Sequence, residues 1–518
     1  MALNVIDIEL LWASLRSVVT EQAKAMQRTA FSAVVREAGD LAYAVFDARA
    51  RMIAQAETGT PGHINCLASC GAWLAEKFAG DLHPGDILIT NDPWEGAGHF
   101  FDITVFAPIF DGERLIGYIG STNHHTDIGG VGQSIGAADI HEEGLWIPPA
   151  KLYSRGEPNQ LLFDIIRRNV RTPELISGDL TAQTASAQSG AAAVIELCQR
   201  FGIADLEDLA YEIIDRSERA MREAIRACPA GSWEAESRFD IPGNHVITLR
   251  AKLTIDSEKG EIAIDFSGSS PQVDRGVNVV LNYTRAYAVF AVRSCLSPDL
   301  PNNSGSLTPI RVTAPPGSVV NCSYPAPVSQ RHVVGMYVPM PIMKALHHAV
   351  PDKVVASSPG SPWSCQLFGH GEGAANFVSM FHFAGGMGAR RALPGLDATT
   401  YPAGVGAMPI EMIETECPVI FRRREIRRGS GGAGRMRGGD GQVIEFTVQS
   451  DAPWTLATAP AGFAYAPEGL EGGASGAAGR FFVNGESRII DGRARMASGD
   501  LVRMETPGGG GFGTPGAA

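Results

Sequence analysis

The sequence lacks most of the patterns that quickly name a function. Its eight cysteines (Cys66, Cys70, Cys198, Cys228, Cys295, Cys322, Cys365 and Cys417) form no CxxC pair and no zinc-finger spacing. That excludes a zinc knuckle and a dithiol redox centre. They read as reduced thiols, with Cys66 and Cys70 on one helix face as small buried apolar residues. No stretch reaches the ~20 apolar residues that span a bilayer. No basic n-region followed by an apolar run opens the chain. A cytoplasmic protein without membrane contact is expected. Basic charge is in deficit, 43 Lys and Arg against 56 Asp and Glu. A net charge of −13 argues against general nucleic-acid binding. There is no GxSxG nucleophile elbow and no GxxxxGK[ST] phosphate loop, so the chain shows no ATP site of its own. Neither an internal repeat nor a long disordered linker is present.

What is present fits a soluble enzyme: 518 residues, 44% hydrophobic, with 60 glycines for turns and close backbone approaches. That length predicts two to four domains or subdomains. Leu11, Leu15, Val18, Val19, Gln22 and Met26 have helical spacing. A strand, turn and strand follow from Leu41 to Ala54. A helix is predicted from His63 to Phe78, then a short strand from Asp86 to Thr90. Helices are predicted over 161–169, 178–201 and 206–227. Alternating strands occupy 247–253 and 262–266, and helices 283–295 and 334–348. From about Glu411 the chain is rich in Arg and Gly with short strands. The expected fold is α+β in three regions: a helix-rich metal-bearing region 1–230, a mixed region 231–410 and a Gly-rich β region 411–518.

The densest chemistry lies between Asn91 and Gly130. Ile103 to Phe110 and Leu115 to Thr122 read as two strands joined at Asp111-Gly112. Pairing Phe110 with Glu113 sets His99 opposite His124 and Asp102 opposite Ser121. Two imidazoles and a carboxylate with coordination positions left open are the ingredients of a zinc or manganese site. His99 and Asp102 are three apart, which on a regular strand means opposite faces. Gly96-Ala97-Gly98 predicts an irregular entry that turns both inward. The competing reading is a polar hairpin base satisfied by its own hydrogen bonds.

The remaining candidates carry alternatives of the same kind. Asp40 is either a fourth ligand or a solvated turn before a strand. Successive residues face opposite ways on a strand, so one of His124 and His125 binds metal and the other contacts substrate or a supporting group. Asp127 is a base or a turn residue. Glu143 is an acid–base group or, beside Glu142, a solvated one. His63 lines a pocket or starts a helix without function. His347-His348 is favourably placed at a helix C-terminus. Ser430–Gly441, with Arg435 and Arg437, and Gly508–Gly513 bind an anion or, the better reading, make tight turns.

Eight blocks in order give the chain a strong resemblance to the hydantoinase B / oxoprolinase family over nearly its whole length. They are Asn91-Asp92-Pro93 with His99 and Asp102; His124–Gly130; Glu143–Pro149; Asn169–Glu174; Asp265–Pro271; Pro301–Gly305; Ser430–Arg435; and Gly508–Gly513. The resemblance implies a subunit of an ATP-dependent enzyme that opens cyclic amides (hydantoins, 5-oxoproline, other lactams) or carboxylates ketones. It implies a hydantoinase A-like partner that binds ATP with magnesium and phosphorylates the substrate oxygen, in a hetero-oligomer such as α2β2. It implies one divalent metal, zinc or manganese, on Asp40, His99, Asp102 and His124. Asp127 and Glu143 are then candidates to take a proton, and His125 to orient the intermediate. Trp94-Glu95-Gly96-Ala97-Gly98 and Asn123 depart from the family pattern, which leaves the ligands in place and the substrate open. Trp94 and Trp146 line an apolar pocket or belong to the core. The carboxylase branch often has longer chains, so the length favours the hydrolase over the carboxylase. A third reading is a structural subunit that completes the partner's site.

Overall fold

A computed structural model describes residues 4–371 and 374–516. The first sheet is antiparallel throughout. It is built from β1 (Leu41–Asp47), β2 (Met52–Gln55), β3 (Ile87–Thr90), β4 (Asp102–Asp111), β5 (Arg114–His124), β6 (Ala150–Ser154) and β7 (Glu157–Pro158). Their order is β2-β1-β5-β4-β3-β6-β7. Every residue of β1 is buried, because helices cover both faces. Odd residues Leu41, Tyr43 and Val45 join α1 (Val5–Thr29), which packs on the long helix Pro173–Phe201. Even residues Ala42, Ala44 and Phe46 meet Ile64, Leu67, Cys70 and Leu74. Those four belong to the helix Pro61–Lys77, whose start is fixed by Pro61 in its first turn and by the Thr60 side chain accepting from His63 N–H.

The β4–β5 hairpin forms where expected, in a different register. Asp111 pairs with Arg114, leaving Gly112-Glu113 as the loop, with Gly112 at φ +62°. A bulge between Ile109 and Phe110 then shifts the ladder. Asp102 therefore faces His124, and Ser121 faces Val105. His99 precedes the strand, so the pairing of His99 with His124 is corrected. Just before β1 the neighbour of His124 is Asp40, whose carbonyl accepts from His124 N–H at 3.0 Å.

The middle of the chain carries a four-stranded sheet of 231–313. Its first two strands, Gly231–Ile241 and His245–Asp256, pair over their full length. The helix Leu281–Leu296 packs on Pro61–Lys77. The helix expected at 334–348 is two pieces, His332–Gly335 and Pro339–Leu346. Pro339 and Pro341 supply no N–H to a continuous ladder.

Two further sheets share one core made of Trp363, Phe381, Phe383, Phe446, Phe481 and others. One is four-stranded and pairs Trp363–Gly371 with Ala374–Phe383 and with Trp454–Thr458. The other is five-stranded, from Val419–Arg427 to Leu501–Glu505. Strand pairing thus crosses residue 410. On Trp363–Gly371 and Ala374–Phe383 the side chains of Trp363, Cys365, Leu367, Phe381 and Phe383 enter this core. Ser364, Met380 and His382 face back toward the first sheet. The glycine-rich segments are not turns alone. They run against one another as bare backbone: Gly432 N–H bonds Gly509 O, Gly509 N–H bonds Gly439 O and Gly439 N–H bonds Met387 O. A Cβ on Gly439 would lie 1.9 Å from Leu396 O, so side chains are excluded.

No helix among the described residues is long and apolar enough to cross a membrane. All eight cysteines are free and buried.

Candidate metal centre

Three adjacent strands bring the acidic and imidazole groups together. Asp40 enters β1, His124 ends β5 and Asp102 begins β4, all at one end of the sheet and on one face. His63 comes down onto that face from the first turn of Pro61–Lys77. Gly98, at φ +94°, turns His99 into the same place. His124 Nδ1 lies 2.8 Å from Asp102 Oδ1, and His99 Nε2 lies 2.9 Å from the same oxygen. His63 Nε2 lies 2.9 Å from Asp102 Oδ2, and His63 Nδ1 3.5 Å from Asp40 Oδ1. Asp40 Oδ2 is 4.0 Å from His124 Nδ1.

His99, Asp102 and His124 offer ligand atoms within 4.8 Å of one another, all buried. The donor set fits a divalent cation, and one detail supports it. His99 Nε2 is buried close to Asp102 Oδ1 yet makes no hydrogen bond. Its other nitrogen, Nδ1, donates to Ser329 O at 2.8 Å. That fixes the tautomer and leaves an Nε2 lone pair directed at the carboxylate, the usual arrangement of a ligating histidine. On His124 the far nitrogen, Nε2, meets the Gln133 amide at 2.7 Å, which can serve either tautomer by turning over.

The electrostatics follow from burial and from one arginine. Burial alone would push the Asp102 carboxyl up, but His63, His99, Arg331 and the bond from His124 hold it well below the carboxylate range. Burial and the Arg331 charge push His99 down to about 4, so its ring is neutral. Burial lowers His63 as well, but Asp102 and Asp40 outweigh it and the ring is pushed up.

Beyond these groups a partly open pocket of about 40 Å³ lies against the site. Its polar wall is Asp40, His63, His99, His124 and Gln133; its roof is Met336, Met380, Val405 and Pro362. His332 and His382 face it from the C-terminal half. Burial, Arg331, His99 and His124 hold His332 well below the ordinary imidazole range, so its ring is neutral. His382 is also lowered by burial, against Asp40, and its Nε2 meets Gly406 O at 3.2 Å.

The three other candidates lie outside this space. His125 takes the opposite face of β5. Its ring is buried without a hydrogen-bond partner, among Asp179 and Gln183 of the helix Pro173–Phe201. Asp127 is paired with Arg171 Nη1 at 2.7 Å and accepts from Gly129 N–H at 3.1 Å. Glu143 Oε1 accepts from Val328 N–H at 2.7 Å and Ser329 N–H at 2.8 Å. Burial pushes its carboxyl up to about 8 despite those bonds. Because Ser329 O receives His99, Glu143 reaches the site through that backbone. The Trp94 and Trp146 rings lie 5.9 Å apart, tilted to one another, with Tyr324 edge-on to Trp94. Their indoles donate to Cys322 O and Asp92 Oδ2; neither lines the cavity.

Sequence reasoning missed the segment Val328–His332, which supplies Ser329, Arg331 and His332. Its one signal was Gln330-Arg331-His332 set between the apolar runs Ala326–Val328 and Val333–Val334, an environment in which charge is found only when paired. His382 carried a fainter sign, a histidine between Phe381 and Phe383 in a strand.

Known proteins share this architecture. The ATP-dependent caprolactamase from Pseudomonas jessenii superimposes with a TM-score of 0.89 at 24% identity, over 99% of this chain and 92% of that one. Nucleotide-free acetone carboxylase gives 0.89 at 21% identity, over 98% of this chain and 75% of that one. At those identities the likeness is one of fold. A putative D-/L-hydantoinase component from Pseudomonas sp. strain NS671 is 30% identical over 98% of this chain and 90% of that protein. The hydantoinase B/oxoprolinase family model matches residues 4–515, and this chain therefore belongs to the hydantoinase B/oxoprolinase family.

Proposed function

We propose that this chain is the metal-bearing subunit of a two-component, ATP-dependent enzyme that hydrolyses cyclic amides. The observation that carries the reading is the buried His99–Asp102–His124 triad at the edge of a partly open pocket, in a member of this family. One divalent cation, zinc or manganese, would be held by Asp40, His99, Asp102 and His124. Bound there, it would bring the pKa of a coordinated water toward neutrality and supply a hydroxide nucleophile. A hydantoinase A-like partner would bind ATP with magnesium and phosphorylate the amide oxygen. That division fits a chain without a phosphate loop, and a hetero-oligomer such as α2β2 is the natural assembly.

The chain's own residues then have separable tasks. Ser329 O and the Gln133 amide orient the two imidazoles. Met336, Met380 and Val405 exclude bulk water and take the hydrocarbon part of a small ring. His332, neutral and facing the cavity, hydrogen-bonds a substrate carbonyl without competing for a proton. His63, between Asp102 and Asp40, holds a proton at Nδ1 or Nε2. Glu143 acts through Ser329, Asp127 through Arg171 and the loop it ties down, and His125 through packing beneath the site.

The test is the purified complex with the ATP-binding partner, assayed on hydantoin, 5-oxoproline and caprolactam. The expected result is ATP-dependent ring opening that is lost with a chelator and with His99→Ala. Turnover insensitive to both overturns the proposal. ATP turnover that requires bicarbonate moves the chain to ketone carboxylation, the alternative that shares this fold. A His99→Ala variant that loses the complex itself points to a purely structural subunit.

A further inference from the structure

Asp102 divides its two oxygens between two sets of neighbours. Oδ1 faces His99 Nε2 and His124 Nδ1 at 2.9 and 2.8 Å. Oδ2 faces His63 Nε2 at 2.9 Å and the guanidinium of Arg331. Arg331 comes from 229 residues away in sequence and is 3% exposed. Three contacts fix it. Its Nη2 donates to Asp102 Oδ2. Its Nε donates to Ala97 O at 2.6 Å. Its guanidinium carbon lies 4.0 Å from the centre of the Tyr283 ring. Room for it exists because residue 98 is glycine: a Cβ there would fall 2.6 Å from Arg331 Cδ.

We propose that Arg331 is a positioning residue for the divalent cation of this site. With His63 it occupies Oδ2, so Asp102 offers the cation a single oxygen. Through Ala97 O it also fixes the loop that presents His99, two residues on. The inference rests on reading His99, Asp102 and His124 as a cation site. The planar guanidinium suits this double task, since it donates in two directions while stacked on a ring, which an ammonium cannot do. Before a cation arrives, the same group offsets the Asp102 charge, so the carboxylate is not left buried and unpaired.

The full-length chain tests this with Co²⁺ as the probe. Visible absorption reports the coordination number, and competition with a chelator gives the affinity. The wild-type chain is expected to take up one Co²⁺ in a four-coordinate environment. In Arg331→Met only His63 is left beside Oδ2, so the spectrum shifts toward higher coordination and affinity falls by roughly 10- to 100-fold. Arg331→Lys keeps the buried charge but cannot reach Ala97 O and Asp102 together, so it recovers only part of the loss. Wild-type spectrum and affinity in either variant overturn the inference. Should Arg331→Met not fold, the lysine variant carries the test alone. A wild-type chain that takes up no Co²⁺ overturns the cation reading and this inference with it. Co²⁺ uptake by the wild type, with unchanged variants, overturns only the role of Arg331.

Discussion

Asp102 and His124 are direct partners across the β4–β5 ladder, and their side chains meet at 2.8 Å on the face that the helix Pro61–Lys77 covers. A strand pair is stiff, so this contact is set before any cation binds. Asp102→Asn, which keeps the shape and removes the charge, is expected to abolish stoichiometric metal binding and, by leaving Arg331 buried without its counter-charge, to cost about 3–5 kcal/mol of stability. Elemental analysis of the variant beside the wild type checks it; an equal metal content in both would remove Asp102 from the ligand set.

His332 and His125 make a paired prediction. His332 faces the cavity, whereas His125 lies on the other face of β5. His332→Ala is expected to lower ATP-dependent turnover by roughly 100-fold, the lower range for losing a positioned hydrogen-bonding or proton-handling group, with metal content unchanged. His125→Ala is expected to cost about 1–3 kcal/mol of stability by leaving a cavity and to change turnover little. Turnover of the folded complex settles it; the reverse pattern would return catalysis to His125.

Glu143 gives a pH prediction. Its carboxyl is pushed up to about 8 by burial, against an ordinary value of 4.5. Between those values the unfolded chain has released a proton that the folded chain keeps. The stabilising contribution is therefore complete below about pH 4.5 and is lost as pH rises to about 8, by at most about 1.4 kcal/mol per pH unit. Glu143→Gln has no such titration. Melting temperatures at pH 5, 6.5 and 8 are expected to move in favour of the glutamine variant as pH rises. A constant difference would mean that Glu143 is ionised throughout.

Gly439 is a steric prediction. The new Cβ in Gly439→Ala would sit 1.9 Å from Leu396 O and cannot be relieved by a rotamer, because the obstacle is backbone. A loss of several kcal/mol, on the order of the largest single-substitution effects, is expected in thermal denaturation. Gly485→Ala is the control, since nothing lies within 4 Å of a Cβ there; its φ of +83° limits the cost to backbone strain of about 1–2 kcal/mol.

Local elements and the chemical inventory were readable without any tertiary information. Helical spacing at Leu11–Met26 and alternation at Ile247–Leu253 reflect which face of a single element is apolar, and both elements stand in the structure. The hairpin that holds Asp102 and His124 was legible for the same reason: a turn signal between two apolar runs needs no distant information. Its register was not: the loop is Gly112-Glu113 rather than Asp111-Gly112, and a bulge near Phe110, set by how the strand packs against its neighbours, shifts the ladder by one residue more. The inward turn of His99 was legible from the glycines around Ala97, since φ near +94° at Gly98 is a local property. Which of His124 and His125 meets the cavity was open in the sequence, as parity allows either. The tertiary structure decided it by laying Pro61–Lys77 on one face and Pro173–Phe201 on the other. The same holds for Arg331, whose 229-residue separation from Asp102 leaves no periodic trace. The glycine-rich segments show the limit most plainly. Taken singly each reads as a turn, and only their stacking as bare backbone, at distances no side chain tolerates, shows why so many glycines are required.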